Sequence, residues 1–132
     1  MLYLILAVTI VCLGSVAFHF LTRTKYLPEE LVKQSCAKIQ RTSKLEPNHS
    51  LMESHKILVA TVQQMSDGKK STAAETLNKV AKRFDNEKEL WKFHRMRNLA
   101  AHELDYKVSI EEAKEARKIF KQSLKNLVKK WR

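Results

Sequence analysis

Three side chains within one predicted helix have the types and spacing to do chemistry together. They are Arg97, Asn98 and His102, in the stretch RMRNLAAHELD. Arginine offers a permanently charged, planar fork that matches carboxylate or phosphate oxygens. Histidine titrates near neutrality and can take or give a proton. The placement adds to the interest. With Leu90 set at 0° and ~100° of turn per residue, Phe93, Ala100, Ala101 and Leu104 fall within ~80° of Leu90, and Arg97 lands inside that arc at ~340°. Asn98 and His102 share its flank, one turn apart. A cation on a packing stripe is costly unless compensated, so Arg97 requires a carboxylate partner, a water-filled cleft or an anionic ligand. Glu53, Glu75 and Glu103 are candidate partners, and His102 could cap the end of the helix. Spacing alone therefore leaves a purely structural ion pair open. His94, one turn before Arg97, reads as a surface or packing residue that could join the cleft.

The elements that must position these residues are helical. After residue 22 the chain has one glycine, Gly68, and two prolines, Pro28 and Pro47, and strand-like alternation is nearly absent. A first helix is expected over 28–43, with Pro28 at its first position and Glu29 and Glu30 favouring its positive end. LEPN breaks it. A second is expected over 50–65, with Leu51, His55, Leu58, Val62 and Met65 on one face. SDGKK reads as a turn. Thr72 and Glu75 form a capping box opening a third helix, on which Leu77, Val80, Ala81 and Phe84 align. Asn86 suits the N-cap of a fourth helix over 87–104. Ser109 and Glu112 form a second capping box before a fifth over 110–130, with Ala113, Ala116, Phe120, Leu124 and Leu127 inward. Short connections between amphipathic helices imply an antiparallel bundle.

Residues 1–22 contain no charged side chain, and all 25 Lys+Arg and 14 Asp+Glu lie beyond them, for a net charge of +11. The apolar leader is long enough to cross ~30 Å of hydrocarbon. It lacks the basic n-region and the A-x-A site of a cleaved signal peptide, and it runs on past Cys12, which argues against lipoprotein processing. The expectation is an uncleaved transmembrane anchor over 1–22, contacting the membrane through residues 2–21, with His19 at the interface. A juxtamembrane helix over 23–49 and a bundle over 50–130 would follow. Arg23, Lys25, Lys33, Lys38 and Arg41 on the far flank place the C-terminal domain in the cytoplasm, as a single-pass protein of the inner (plasma) membrane. Cys36 stands alone in that domain and can form no internal disulfide.

The wider stretch WKFHRMRNLAAHELDYKVSIEEAKEARKIFKQSLKNL resembles the C-terminal half of HEPN domains, small helical bundles found in many bacterial ribonucleases and toxin or defence systems. Their signature is an arginine, a polar residue, several further residues and a histidine near the end of a core helix, followed by a loop and a long final helix. The resemblance is sharpest over 91–127. It implies an all-α fold of four to five helices and metal-independent RNA cleavage without a cofactor. His102 would be the general base on a ribose 2′-OH. Arg97 would stabilise charge developing on the phosphate, and Asn98 would orient His102 or the phosphate. It also implies a site shared across a homodimer and a cognate regulatory protein. Some HEPN-like domains bind or scaffold without cleaving, so a non-catalytic interaction module is the competing class.

From Lys114 onward eight Lys+Arg face a single acid, Glu115. A solvated helix face explains most such runs. The sharper reading is contact with RNA or anionic lipid through Lys114, Lys118, Lys121 and Lys125. Other chemistry finds no support. The five histidines lack HExxH spacing, and no Cys-His cluster suggests zinc. SCAK (35–38) matches S-x-x-K without its companion motifs. One glycine cannot build a phosphate-binding loop. Trp91 and Phe93 could stack bases, but at helical spacing they read as core.

Overall fold

The computed structural model describes residues 1–21, 26–66 and 70–129, with the side chains of residue 2 and residues 18–21 outside the description. The charged flank at Arg23 and Lys25, the His19 side chain, the centre of the expected turn at 67–69 and residue 130 thus lie outside the described residues. The described chain is all-α and carries no strand.

The apolar leader forms α1 (Leu2–Leu21), and its side chains at 3–17 are exposed. Yet among the described residues no helix is long and apolar enough to cross a membrane. The expected transmembrane helix is corrected on that finding. The single-pass inner-membrane location and cytoplasmic orientation, which rested on it, are corrected too.

The bundle is built from α2 (Glu29–Arg41), α3 (Pro47–Gln63), a short α4 (Ala73–Asn78), α5 (Glu87–His102) and α6 (Ile110–Asn126). Pro47 occupies the first turn of α3, where its missing N–H costs nothing. Both capping boxes form: Thr72 with Glu75, and Ser109 with Glu112. Their spacing of three lets each hydroxyl and carboxylate exchange backbone N–H groups at a helix start.

The direction of each helix follows from its cross-links. Ser35 accepts from Thr61, and Thr42 meets Ser50, so α2 and α3 are antiparallel. Asn86 at the start of α5 bonds Ile119 and Ser123 late in α6, so α5 and α6 are antiparallel as well. Ser50 meets Arg117 while His55 meets Phe120, so α3 and α6 run the same way across the centre. Small buried side chains, Ser50 and Ser54 on α3 and Ala113 and Ala116 on α6, suit this close crossing. Leu51, Leu58, Leu90, Phe93, Phe120 and Leu124 fill the interior, each fully buried. α2 is part of that core through Val32 and Ile39, and Leu27 N–H donates to Leu127 O at 2.9 Å.

Two elements depart from expectation. The third helix stops at Asn78, and Val80 at φ −120°, ψ 0° turns the chain into a 3₁₀ turn, Ala81–Arg83. Leu77, Val80, Ala81 and Phe84 are still all buried. The fourth helix stops at His102, because Glu103 is extended. Leu104 consequently projects into solvent instead of continuing the apolar stripe, and Ala101, still within the last turn of α5, is exposed as well.

Candidate functional site around Arg97

α5 carries Leu90, Phe93 and Met96 into the core and turns His94, Arg97 and Asn98 toward α3. Arg97 and Asn98 are half-buried. Nη1 of Arg97 donates to Oδ1 of Asn98 at 3.1 Å. That bond turns Nδ2 of Asn98 toward Nε2 of His94, 3.3 Å away. Nδ2 can only donate, so Nε2 accepts, and a neutral His94 carries its proton on Nδ1. Nδ1 then donates to Nε2 of His55 on α3, at 2.9 Å. Arginine, amide and two imidazoles form one chain of contacts from the protein's edge into its core.

The surroundings hold both rings neutral. Burial pushes the His55 imidazole down to about 3, with positive charge at His94 and Arg97 acting in the same direction. Burial also lowers His94, reinforced by Arg97 and Arg95. Desolvation disfavours a charged imidazole, and neighbouring cations add to that. Packing fixes the pair: Trp91 stands edge-on to His94 at 5.3 Å between centroids, and Phe120 edge-on to His55 at 5.7 Å.

No carboxylate pairs with Arg97 among the described residues. Glu53 is nearby but meets Lys56 at 3.8 Å. Glu75 is committed to its capping box, and Glu103 is exposed beyond the end of α5. Nε of Arg97 is buried with no hydrogen-bond partner among the described residues. An unsatisfied buried donor costs about 1–3 kcal/mol, more when charged, so this arginine is not optimised for stability. It lines an open pocket of about 510 Å³, with Met52, Glu53, His55, Lys56 and Gln63 of α3 opposite and Ala73 at one side; the Glu53 carboxylate there is offset by Lys56, 3.8 Å away. A half-buried guanidinium without a carboxylate partner among the described residues, beside a solvent-reachable pocket, is chemically suited to an anion.

Of the three residues singled out in the sequence, the structure joins Arg97 and Asn98. His102 is the last residue of α5, exposed, and outside the Arg97 pocket within one chain. The segment after it is held in place: Asn48 of α3 donates to Tyr106 O at 2.7 Å and accepts from Val108 N–H at 2.8 Å. His94, given only a provisional place in the cleft, is central to the network. His55, which the sequence places with Leu51 and Leu58 on one face of its helix, is the other imidazole of the network. Phe93 is a core residue. Lys114, Lys118 and Lys121 line one groove on α6, whereas Lys125 borders a separate pocket with Cys36. Among the described residues no three His, Cys, Asp or Glu side chains come together as a metal site would need.

Compared with known proteins, the chain matches no family model, no curated protein and no solved structure.

Proposed function

We propose that this chain is a HEPN-like RNA-cleaving bundle that works as a homodimer, with Arg97 as its phosphate-binding group. The observation that supports the reading is the half-buried Arg97 guanidinium, without a carboxylate partner among the described residues, on an open pocket. His102 is the general base. It takes the proton from a ribose 2′-OH, and the 2′-oxygen attacks the adjacent phosphorus. The bond from phosphorus to the 5′-oxygen breaks, and that oxygen leaves by taking a proton from water. The products are a 2′,3′-cyclic phosphate and a 5′-OH end. Arg97 stabilises the charge that builds on the phosphoryl oxygens, the contribution expected of a preorganised donor. Asn98 holds the fork.

Because His102 lies outside the Arg97 pocket of its own chain, the reading assigns the histidine at each site to the second copy. Leu99, Leu104 and Ile110, 39%, 103% and 71% exposed beside His102 in sequence, supply apolar surface for that pairing.

The test is cleavage of mixed RNA by the full chain with EDTA present, across a range of protein concentrations. Wild type should cleave with a rate per chain that rises with concentration. Arg97→Ala and His102→Ala should each lose activity by about a hundredfold or more with folding intact. A second reading, a non-catalytic interaction bundle, is favoured by the Asn98–His94–His55 network, which would then only lock α5 to α3. It predicts no cleavage at any concentration.

A further inference from the structure

On the α6 side of the bundle, away from Arg97, a second cationic feature takes shape. Lys114, Arg117, Lys118 and Lys121 line an open groove of about 390 Å³ with Gln40 of α2; Glu111 stands at its α6 N-terminal end, and Glu115 lies between Lys114 and Lys118 in the row. None of the four cations is paired with a carboxylate among the described residues. Two are instead fixed by neutral oxygens. Nη1 of Arg117 donates to Oγ of the buried Ser50 at 2.7 Å, and Nζ of Lys121 donates to Oε1 of Gln40 at 2.7 Å. A neutral acceptor immobilises a cation without cancelling its charge, so part of the entropic cost of binding an anion is met in advance. Burial already lowers the Arg117 guanidinium's affinity for its proton, and an anion would relieve that unfavourable desolvation.

We infer that this groove binds the phosphate backbone of single-stranded RNA. The helix rise puts Lys114 and Lys121 ~10 Å apart along α6, about three stacked nucleotides at ~3.4 Å each. Every lining side chain is polar or charged, so the groove has nothing to insert into a bilayer, and its concave form suits a chain of phosphates better than a flat anionic surface. The inference rests on the proposal that RNA is the substrate, but not on cleavage.

The experiment therefore uses a short 2′-O-methyl RNA strand, which has no free 2′-OH to react, and the full chain. Binding is followed by fluorescence anisotropy over a range of salt concentrations. Lys114→Ala and Lys118→Ala, both exposed positions, should each weaken binding about threefold to tenfold and reduce the salt slope by about 0.7. Lys82→Ala, an exposed cation elsewhere, should change neither. Equal effects from Lys82→Ala would mean diffuse attraction and would overturn the site. So would groove variants that bind the strand as wild type does, or that lose only binding to anionic phospholipid vesicles. Loss of cleavage in Arg97→Ala with groove binding intact separates failure at one site from failure at the other.

Discussion

Nδ1 of His94 stands 2.9 Å from Nε2 of His55, joining α5 to α3 inside the bundle. Burial and the neighbouring cations, more than the contact itself, keep both rings neutral, and the acid stability of the fold follows. His55 titrates at about 3 when folded, against ~6.5 in an unfolded chain. The unfolded state takes up the proton first. Stability is therefore full above ~6.5 and falls as the pH drops toward 3, by up to about 1.4 kcal/mol per pH unit from this residue. His94, also lowered, acts in the same direction. Denaturant midpoints should be clearly lower at pH 5 than at pH 7, and His55→Gln should flatten the difference. Equal midpoints for the wild type at the two pH values would contradict the neutral pair.

Arg97→Met should cost little stability. It removes one charge-assisted bond to Asn98, about 1.5–3 kcal/mol, and relieves an orphaned buried donor on a charged group worth about 1–3 kcal/mol or more. The net change should lie within about 1 kcal/mol of zero or favour folding. Arg97 also helps depress both histidines, after burial, so NMR titration of the variant should show both shifted upward. A large destabilisation would mean that Arg97 is a structural strut.

Asn86 occupies the N-cap position of α5, yet its side chain makes no cap bond. Its amide donates to Ile119 O at 3.2 Å and accepts from Ser123 Oγ at 3.0 Å. An aspartate caps helices as well as asparagine does but cannot make that donation. Asn86→Asp should therefore destabilise by about 1–3 kcal/mol in urea unfolding, much as Asn86→Ala does. A neutral Asn86→Asp would restore the capping role.

Asn48 fastens the segment after His102 through Tyr106 and Val108. Asn48→Ala should cost about 1–3 kcal/mol and raise amide exchange across 103–108, with α2 unaffected. If exchange in that segment stays unchanged, other contacts hold it.

Local signals in the sequence translated well into structure. The two capping boxes needed only a three-residue spacing. The five inward positions of α6, from Ala113 to Leu127, are all buried because one uninterrupted helix keeps one register. Where a helix ends was harder to read. The apolar arc on α5 was extended to Leu104, two residues past the point where the backbone turns extended. The sequence reading makes 23–49 a juxtamembrane helix beside a bundle over 50–130, whereas Val32 and Ile39 of α2 are buried in the shared core. The His55–His94 contact spans 39 residues, and periodicity within either helix cannot see across that distance. Arg97 could be recognised as anomalous from its position on the stripe. Its lack of a carboxylate could not, since Glu53, Glu75 and Glu103 each find another place in three dimensions.

The central claim is that Arg97 of one copy and His102 of another complete one RNA-cleaving site. Mixing inactive Arg97→Ala with inactive His102→Ala tests it most directly. In an equal mixture of exchanging dimers, half the dimers are mixed, and each mixed dimer contains one intact composite site. The account predicts recovery of about a quarter of wild-type cleavage. A mixture that stays inactive beside an active wild type would show that both residues act within one chain, and a wild type that cleaves no RNA under these conditions would contradict the account altogether.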